Sequence, residues 1–288
     1  AARSCRCGFA AAGRIALAAP RRARLRLHCR SRDLREQLQP EEYLEAAEQD
    51  RGRTEHGMDR TRARVDGQWV SPFDPAEVNS HYTEANAWQY SFFVPQDVDG
   101  LMQMHGGPAA FAAKLDALFT ASRQTTGRDQ ADITGLVGQY AHGTEPSHHI
   151  AYLYAFAGQP WKTQAMVRQL MDTMYAPAPD GEIGNDDCGQ MSAWYLFTCL
   201  GFYPVCPASD DYVIGAPQVP RAEMQLSNGK RFVVIAEKLS EKNLYVQSVR
   251  LNGRVWNSVY LPYSELKKGG QLTFTMGPTP SRTWGVSH

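Results

Sequence analysis

The segment EIGNDDCGQMSAWYLF, residues 182–197, places Asp186 and Asp187 side by side directly before an apolar helical pattern. One aspartate at a helix start satisfies unpaired backbone N–H groups and suits the helix dipole. A second adds like-charge repulsion unless it meets a cation, a proton or a substrate. The pair is therefore a doubled cap or a cap beside a catalytic base, and this stretch alone favours the doubled cap.

Three further loops carry polar residues that a core would not choose. HYTEANAWQY offers His81, Glu84, Trp88 and Gln89, and HGTEPSHH offers His142, Thr144, Glu145, His148 and His149. VPQDVDG adds Asp97 and Asp99, while Glu182, Asn185 and Gln190 accompany the aspartate pair. Each has an ordinary reading. Glu84 could be a first-turn acid, Glu145 part of a Pro-led helix entry, the histidines hydrogen-bonded core residues, and Trp88 plain core. What argues for chemistry is shared position: three carboxylate loops each lie at the N-terminal rim of a helix pattern, where distant segments can meet around a cleft.

Two or three carboxylates with rim aromatics match glycoside hydrolysis. A protonated carboxyl gives its proton to the leaving oxygen, and an ionised one activates water or attacks the sugar. Aromatic faces stack on the ring, and amides and histidines bind hydroxyls. A hard cation also suits loops in which carboxylate and amide oxygens outnumber soft ligands. The chain has no His-Glu-x-x-His and no cysteine cluster, which argues against zinc.

The elements that must position these loops are short. Periodicity predicts helices from Ala85 to Phe93, from Pro108 to Phe119, from Ser147 as N-cap to a stop at Gly158, from Pro160 to Tyr175, and up to a stop at Gly201. Thr120–Asp132 reads as an exposed loop. Tight turns between aromatic helices suggest an array of helical hairpins, as in a toroid. Beyond Tyr203 the pattern becomes β: RFVVIAEK, LYVQSVRLNG, WNSVYLPY and QLTFTMG, separated by Asn-Gly, Gly-Gly and Pro turns, predict an antiparallel unit.

The totals exclude more than they identify. The formal net charge is +0, so neither nucleic acid nor an anionic membrane is indicated, and no apolar run reaches the roughly 20 residues of a membrane span. The cysteines Cys5, Cys7, Cys29, Cys188, Cys199 and Cys206 show neither zinc spacing nor a disulfide framework. Residues 1–35 hold ten arginines and one acid, and no lysine precedes Lys114. This texture predicts that residues 1–55 are atypical, non-native or disordered sequence, as from a GC-rich gene read out of frame. The Ala-rich run Phe9–Pro20 is interrupted by Arg14 and is not a credible signal peptide.

Three long motifs, YTEANAWQYSFFVPQDVDGL, GLVGQYAHGTEPSHHIAYLYAFAGQPWKTQ and GNDDCGQMSAWYLFTCLGFYPVCP, resemble the C-terminal catalytic part of glycoside hydrolase family 92. These are calcium-dependent, inverting exo-α-mannosidases, and the resemblance covers roughly residues 56–288. It implies an α+β, multi-part chain: the late part of an (α/α)6 barrel at 56–207, then a C-terminal antiparallel β-domain at 208–288. The family's N-terminal β-sandwich and early barrel helices are expected to be missing. That sandwich would be the natural intramolecular partner and would supply part of the sugar-binding wall. The segment EYLEAAEQDRGRTEHGMDRTRARVDGQW looks like family sequence disturbed by a shifted frame before about Met58.

Carried over by motif, the resemblance implies Glu84 as general acid, Asp187 as general base and Asp186 in support. Glu145 and Gln89 would lie near calcium or the sugar, and Trp88, His142, His148 and Gln190 would contact substrate. The implied substrate is terminal α-linked mannose on an oligosaccharide or a glycoprotein N-glycan, and the implied location of the whole protein is secreted or periplasmic. An inverting pair should sit roughly 6.5–9.5 Å apart. Glu84, which must hold its proton, should be the more buried or the nearer to other carboxylates. Two rivals remain at this level: an inactive remnant, and a glycoside phosphorylase. The latter would want basic residues near the acid, yet the arginines nearest Glu84 in the preceding sequence, Arg62 and Arg64, lie outside its motif.

Overall fold

The computed structural model describes residues 14–17, 64–65, 68–207 and 209–286. Among the described residues, six α-helical segments precede the main sheet region: α1 Ala87–Tyr90, α2 Val98–Met104, α3 Pro108–Thr120, α4 Leu153–Phe156, α5 Pro160–Met174 and α6 Gln190–Leu200. In α3 the apolar residues Phe111, Leu115 and Leu118 recur at helical spacing and are fully buried. In α5 the buried stripe is Thr163, Gln164, Val167, Leu170 and Met171. Gly201 ends α6 in the left-handed region (φ 89), where a Cβ would be strained.

Several local expectations fail for identifiable reasons. The helix expected from Ala85 to Phe93 shrinks to one turn, α1, because Ala85 is left-handed (φ 62) and Asn86 caps the chain after it. Asp97 caps the unforeseen α2 by accepting from Gly100 N at 2.9 Å. The helix expected from Ser147 becomes two 3-10 turns, Glu145–Ser147 and Ile150–Tyr152, leading into α4. There the His148 carbonyl accepts from Trp194 Nε1 at 3.0 Å, and Tyr152 N turns instead to His149 O. A carbonyl taken by a distant side chain tightens the turn that would have used it. The Thr120–Asp132 segment is exposed in part but anchored: Thr126–Gly127 pairs in parallel with Glu77–Val78, and Gln130 Oε1 accepts from Ala85 N at 3.3 Å.

The β-region begins with β2 Phe202–Tyr203 and β3 Asp211–Ile214, then β4 Arg221–Gln225, β5 Arg231–Glu237, β6 Tyr245–Leu251, β7 Arg254–Val255, β8 Tyr260–Pro262 and β9 Gly270–Gly277. A further strand, β1 Arg14–Leu17, pairs antiparallel with β4, so four residues of the stretch expected to be atypical lie on the sheet edge; the rest of 1–55 lies outside the described residues. The six-stranded order is β1-β4-β5-β9-β6-β7, and β8-β3-β2 form a separate three-stranded antiparallel sheet. The larger sheet is mixed rather than antiparallel, since β5 and β9 run parallel from Phe232↔Gly270 to Glu237↔Thr275.

Alternation is clean where one face is covered. Phe232, Val234 and Ala236 of β5 and Leu272, Phe274 and Met276 of β9 are buried. The sheet residues belong to the same core as α3, α5 and α6. Gln164 of α5 joins the layers through a buried bond in which its Oε1 accepts from Val246 N at 3.0 Å. The Arg282 guanidinium stacks 3.9 Å from the Trp161 ring centroid.

Candidate active site

A buried amide network holds the Glu84 loop. Asn86 Oδ1 accepts from Trp88 N at 3.1 Å, and Gln89 Oε1 accepts from Asn86 N at 3.0 Å, which forms a capping box. Asn86 Nδ2 donates to Gln139 Oε1 at 3.0 Å, Gln89 Nε2 donates to the Gln139 carbonyl, and Gln139 Nε2 donates to Ser122 O at 2.6 Å. Gln89, expected near calcium, is thus a positioning residue inside the protein, its amide serving the helix start.

Glu84 itself is only half-buried. Burial is nevertheless the largest cause that lifts its carboxyl from the ordinary 4.5 to about 7, followed by the charges of Glu145 and Asp132, with Asp187 adding a smaller rise. Thr144 Oγ1, fully buried, faces Glu84 without completing a well-formed hydrogen bond and offsets only part of that rise. Glu145 is raised as well, first by burial, with its own backbone N–H opposing and a hydrogen bond toward Asp187 adding to the rise. Glu84 thus feels the charges of three carboxyl groups from three other segments, Glu145, Asp132 and Asp187.

The aspartate pair divides its work. The N-cap residue of α6 is Gly189, which has no side chain to offer; Asp186, three residues earlier, stands in for it, its Oδ1 accepting from Ser192 N in the first turn at 2.9 Å. Asp187, exposed, turns toward Glu145. The backbone that separates the two is strained: Asp187 (φ 43) and Cys188 (φ 60) are left-handed before Gly189 (φ 91). Such conformations cost about 1–3 kcal/mol each and persist where the surroundings enforce them. Ala85, next to Glu84, is a third left-handed non-glycine among the described residues of this half.

The histidines are placed differently from the expectation. Tyr175 OH donates to Met191 O at 3.3 Å, so it accepts from His142 Nε2 at 2.8 Å, and His142 Nδ1 accepts from Tyr140 OH at 2.8 Å. His148 Nε2 donates to His142 O at 2.9 Å, and its Nδ1 accepts from Gln190 Nε2 at 3.1 Å. Both rings are almost fully buried, and burial holds His142 well below its usual pKa and His148 near 4. Neither ring has a nitrogen left for a sugar hydroxyl. They are neutral core histidines that tie the Glu145 turns to α6. Gln190 is half-buried, its Nε2 shared between His148 and the Tyr203 hydroxyl at 3.1 Å. Trp88 is half-buried against the core.

Two participants escaped the sequence reading. Asp132 closes the expected loop and joins the acid cluster through tertiary placement alone. The Tyr90 hydroxyl lies against the Glu84 backbone and Thr83, and burial leads the causes that raise it. For metal, the donor set is of the hard oxygen kind, and crowded carboxyls are what a divalent cation relieves. Among the described residues, however, no group of three His, Cys, Asp or Glu side chains is arranged to hold a metal ion. With Gln89 committed elsewhere, Glu145 is the member of the expected pair that remains a donor.

The glycosyl hydrolase family 92 catalytic domain matches residues 21–278, starting ahead of the motifs. An uncharacterized secreted glycosidase of Arthroderma benhamiae is 28% identical over 221 residues, covering 75% of this chain and 26% of its own length. A family GH92 α-mannosidase of Bacteroides thetaiotaomicron, solved with mannoimidazole, is 41% identical with a TM-score of 0.74 over 78% of this chain and 31% of its own. A family GH92 inverting mannosidase of the same organism is 37% identical, with a TM-score of 0.67 over 77% of this chain and 31% of its own. The chain thus spans about a quarter to a third of the length of these relatives.

Proposed function

The chain belongs to glycosyl hydrolase family 92, and from that premise we propose that it supplies the acid and the base of an exo-acting α-mannosidase that releases terminal α-linked mannose with inversion. The observation that carries the assignment is the pairing of a carboxyl raised to about 7, Glu84, with Asp187, a carboxylate that Asp186 relieves of capping duty.

In this reading Glu84 holds its proton near neutral pH and delivers it to the glycosidic oxygen as the bond from that oxygen to the anomeric carbon breaks. Asp187 takes a proton from a water on the opposite face, and that water's oxygen forms the new bond to the anomeric carbon. Mannose leaves with inverted configuration, and the proton taken by Asp187 returns to solvent while Glu84 is recharged. Burial above all, with neighbouring carboxylate charge adding to it, keeps Glu84 protonated, and the Asn86–Gln89–Gln139 network holds its loop. Calcium, held in part by Glu145, would bind sugar hydroxyls and favour ring distortion. Trp88 would offer the sugar a face, and Gln190 a polar contact.

The remaining parts of the reading concern the whole protein. The helices would be the late members of an (α/α)6 ring, with 208–288 as the closing β-domain and an N-terminal β-sandwich completing the sugar pocket. Export of that protein follows the secreted relative. The decisive experiment follows the anomeric proton by NMR during hydrolysis of an α-mannoside by a complete enzyme carrying this half. First-formed β-mannose supports the reading. First-formed α-mannose, or full activity in excess chelator, overturns the inverting step or calcium respectively.

A further inference from the structure

Asp97 and Asp99, prominent in the sequence, take no part in the Glu84 cluster. They lie instead at an open cleft of about 340 Å³, lined by the Pro95–Asp99 turn, Phe156 at the end of α4, Val205, Ser209, Asp211 and Val213 of β3, and Tyr260 of β8. The volume falls at the lower end of the roughly 300–1,000 Å³ typical of small-molecule sites. We propose that this cavity is a non-catalytic binding pocket for a neutral hexose.

The chemistry of the wall selects that ligand class. The aromatic part is a pair of rings, Phe156 and Tyr260, 5.4 Å apart and tilted by 70°, flanked by Val98, Val205 and Val213. Such a surface accepts the C–H face of a pyranose ring. The polar part is acceptor-rich: Asp97 is spent on capping Gly100 N, but Asp99 and Asp211 form no ion pair among the described residues, and their charges reach the Tyr260 hydroxyl. Free carboxylates need donors, and sugar hydroxyls supply them in charge-assisted bonds.

Other ligands fit less well. No Lys, Arg or His lines the cavity among the described residues, so no cation there would balance an anionic ligand beside Asp97, Asp99 and Asp211. Calcium takes six to eight oxygens around it; the valine and phenylalanine walls offer none, and among the described residues no three acids are grouped to hold a metal ion. The pocket shares no residue with the acid cluster, so the inference stands apart from the hydrolytic reading.

The test titrates the 288-residue chain with D-mannose and D-glucose, by saturation-transfer NMR and calorimetry. The Glu84→Gln/Asp187→Asn background removes the reaction from consideration. We expect saturable binding of at least one sugar in the millimolar range, weakened tenfold or more by Asp99→Asn/Asp211→Asn, which conserves shape at exposed positions. Tyr260→Phe should weaken it less, since the ring remains. Circular dichroism and thermal melting establish that each variant folds. Binding that survives the double aspartate substitution, or no saturable binding of either sugar by the folded chain, overturns the proposal. So does tighter binding of protonated D-glucosamine or of calcium alone with the same loss on substitution, which would mark a cation site.

Discussion

Around the Glu84 loop, burial and neighbouring carboxylates raise Glu84 to about 7 and lift Glu145 as well, whereas in the sheet the Glu223 carboxylate lies between Arg231 (2.9 Å) and Arg221 (3.2 Å) and is pulled below its ordinary pKa. The backbone differs in the same direction. Left-handed Asn252 precedes Gly253 in the turn between β6 and β7, where that conformation is the turn's requirement. Left-handed Ala85, Asp187 and Cys188 lie beside the proposed acid and base, in no hairpin. The fully buried hydroxyls of Thr144 and Ser147, without a hydrogen-bond partner, lie in that half too. Lys238 (φ 61) after β5 and the partnerless Thr163 hydroxyl of α5 are exceptions elsewhere, but three left-handed non-glycine residues gather around the proposed acid and base.

Breaking the acid cluster should give the largest effect. In a complete enzyme carrying this half, Asp187→Asn should lower kcat by about 10²–10⁴-fold on all substrates. Glu84→Gln should do so only for substrates with poor leaving groups and spare activated aryl mannosides. Wild-type activity should decline as pH rises through about 7, where Glu84 gives up its proton. Losses below about tenfold for both variants would mean that the wrong carboxyls have been paired.

The buried histidines sharpen the contrast through acid stability. Burial lowers His148 and His149 to about 4 from an ordinary 6.5. Between those values the unfolded chain binds protons that the folded chain refuses, so stability is lost as pH falls from 6.5 toward 4. Each histidine contributes up to about 3 kcal/mol to that loss. Denaturant melts at pH 7 and pH 4.5 measure it, and His149→Gln should flatten the slope. An unchanged slope would show that His149 is not the group responsible.

A smaller effect has the opposite sign to most substitutions. Because the Glu84 carboxyl is raised, its ionisation costs folding stability as pH rises from 4.5 through about 7, and the cost is absent below 4.5. Glu84→Gln should therefore stabilise the fold at pH 8 by about 1 kcal/mol after allowance for partial exposure, and leave it unchanged at pH 4. Destabilisation at pH 8 would place Glu84 among structural residues. At the small end, Glu223→Gln should cost about 0–1 kcal/mol, diminishing with salt, because its ion pairs are on the surface.

What the amino-acid sequence determined by itself is whatever depends on neighbours a few residues away. The spacing of Phe111, Leu115 and Leu118, the stop at Gly201 and the alternation along Arg231–Glu237 are local, and helix and strand follow from them. The motifs around Glu84, Glu145 and Asp187 were likewise legible, as types in a pattern. Tertiary structure decided the rest, because proximity and burial belong to no single segment. It separated Asp186 from Asp187 by giving one the Ser192 amide. It withdrew His142 and His148 into the core by closing hydrogen bonds on both ring nitrogens, and brought Asp132 to Glu84 through a clamped loop. It turned an expected helix into 3-10 turns by lending the His148 carbonyl to Trp194, and set β5 parallel to β9 by a connection that no strand's own pattern records. A carboxyl's charge is decided by the dielectric and the charges around it, and those exist only once the chain has folded.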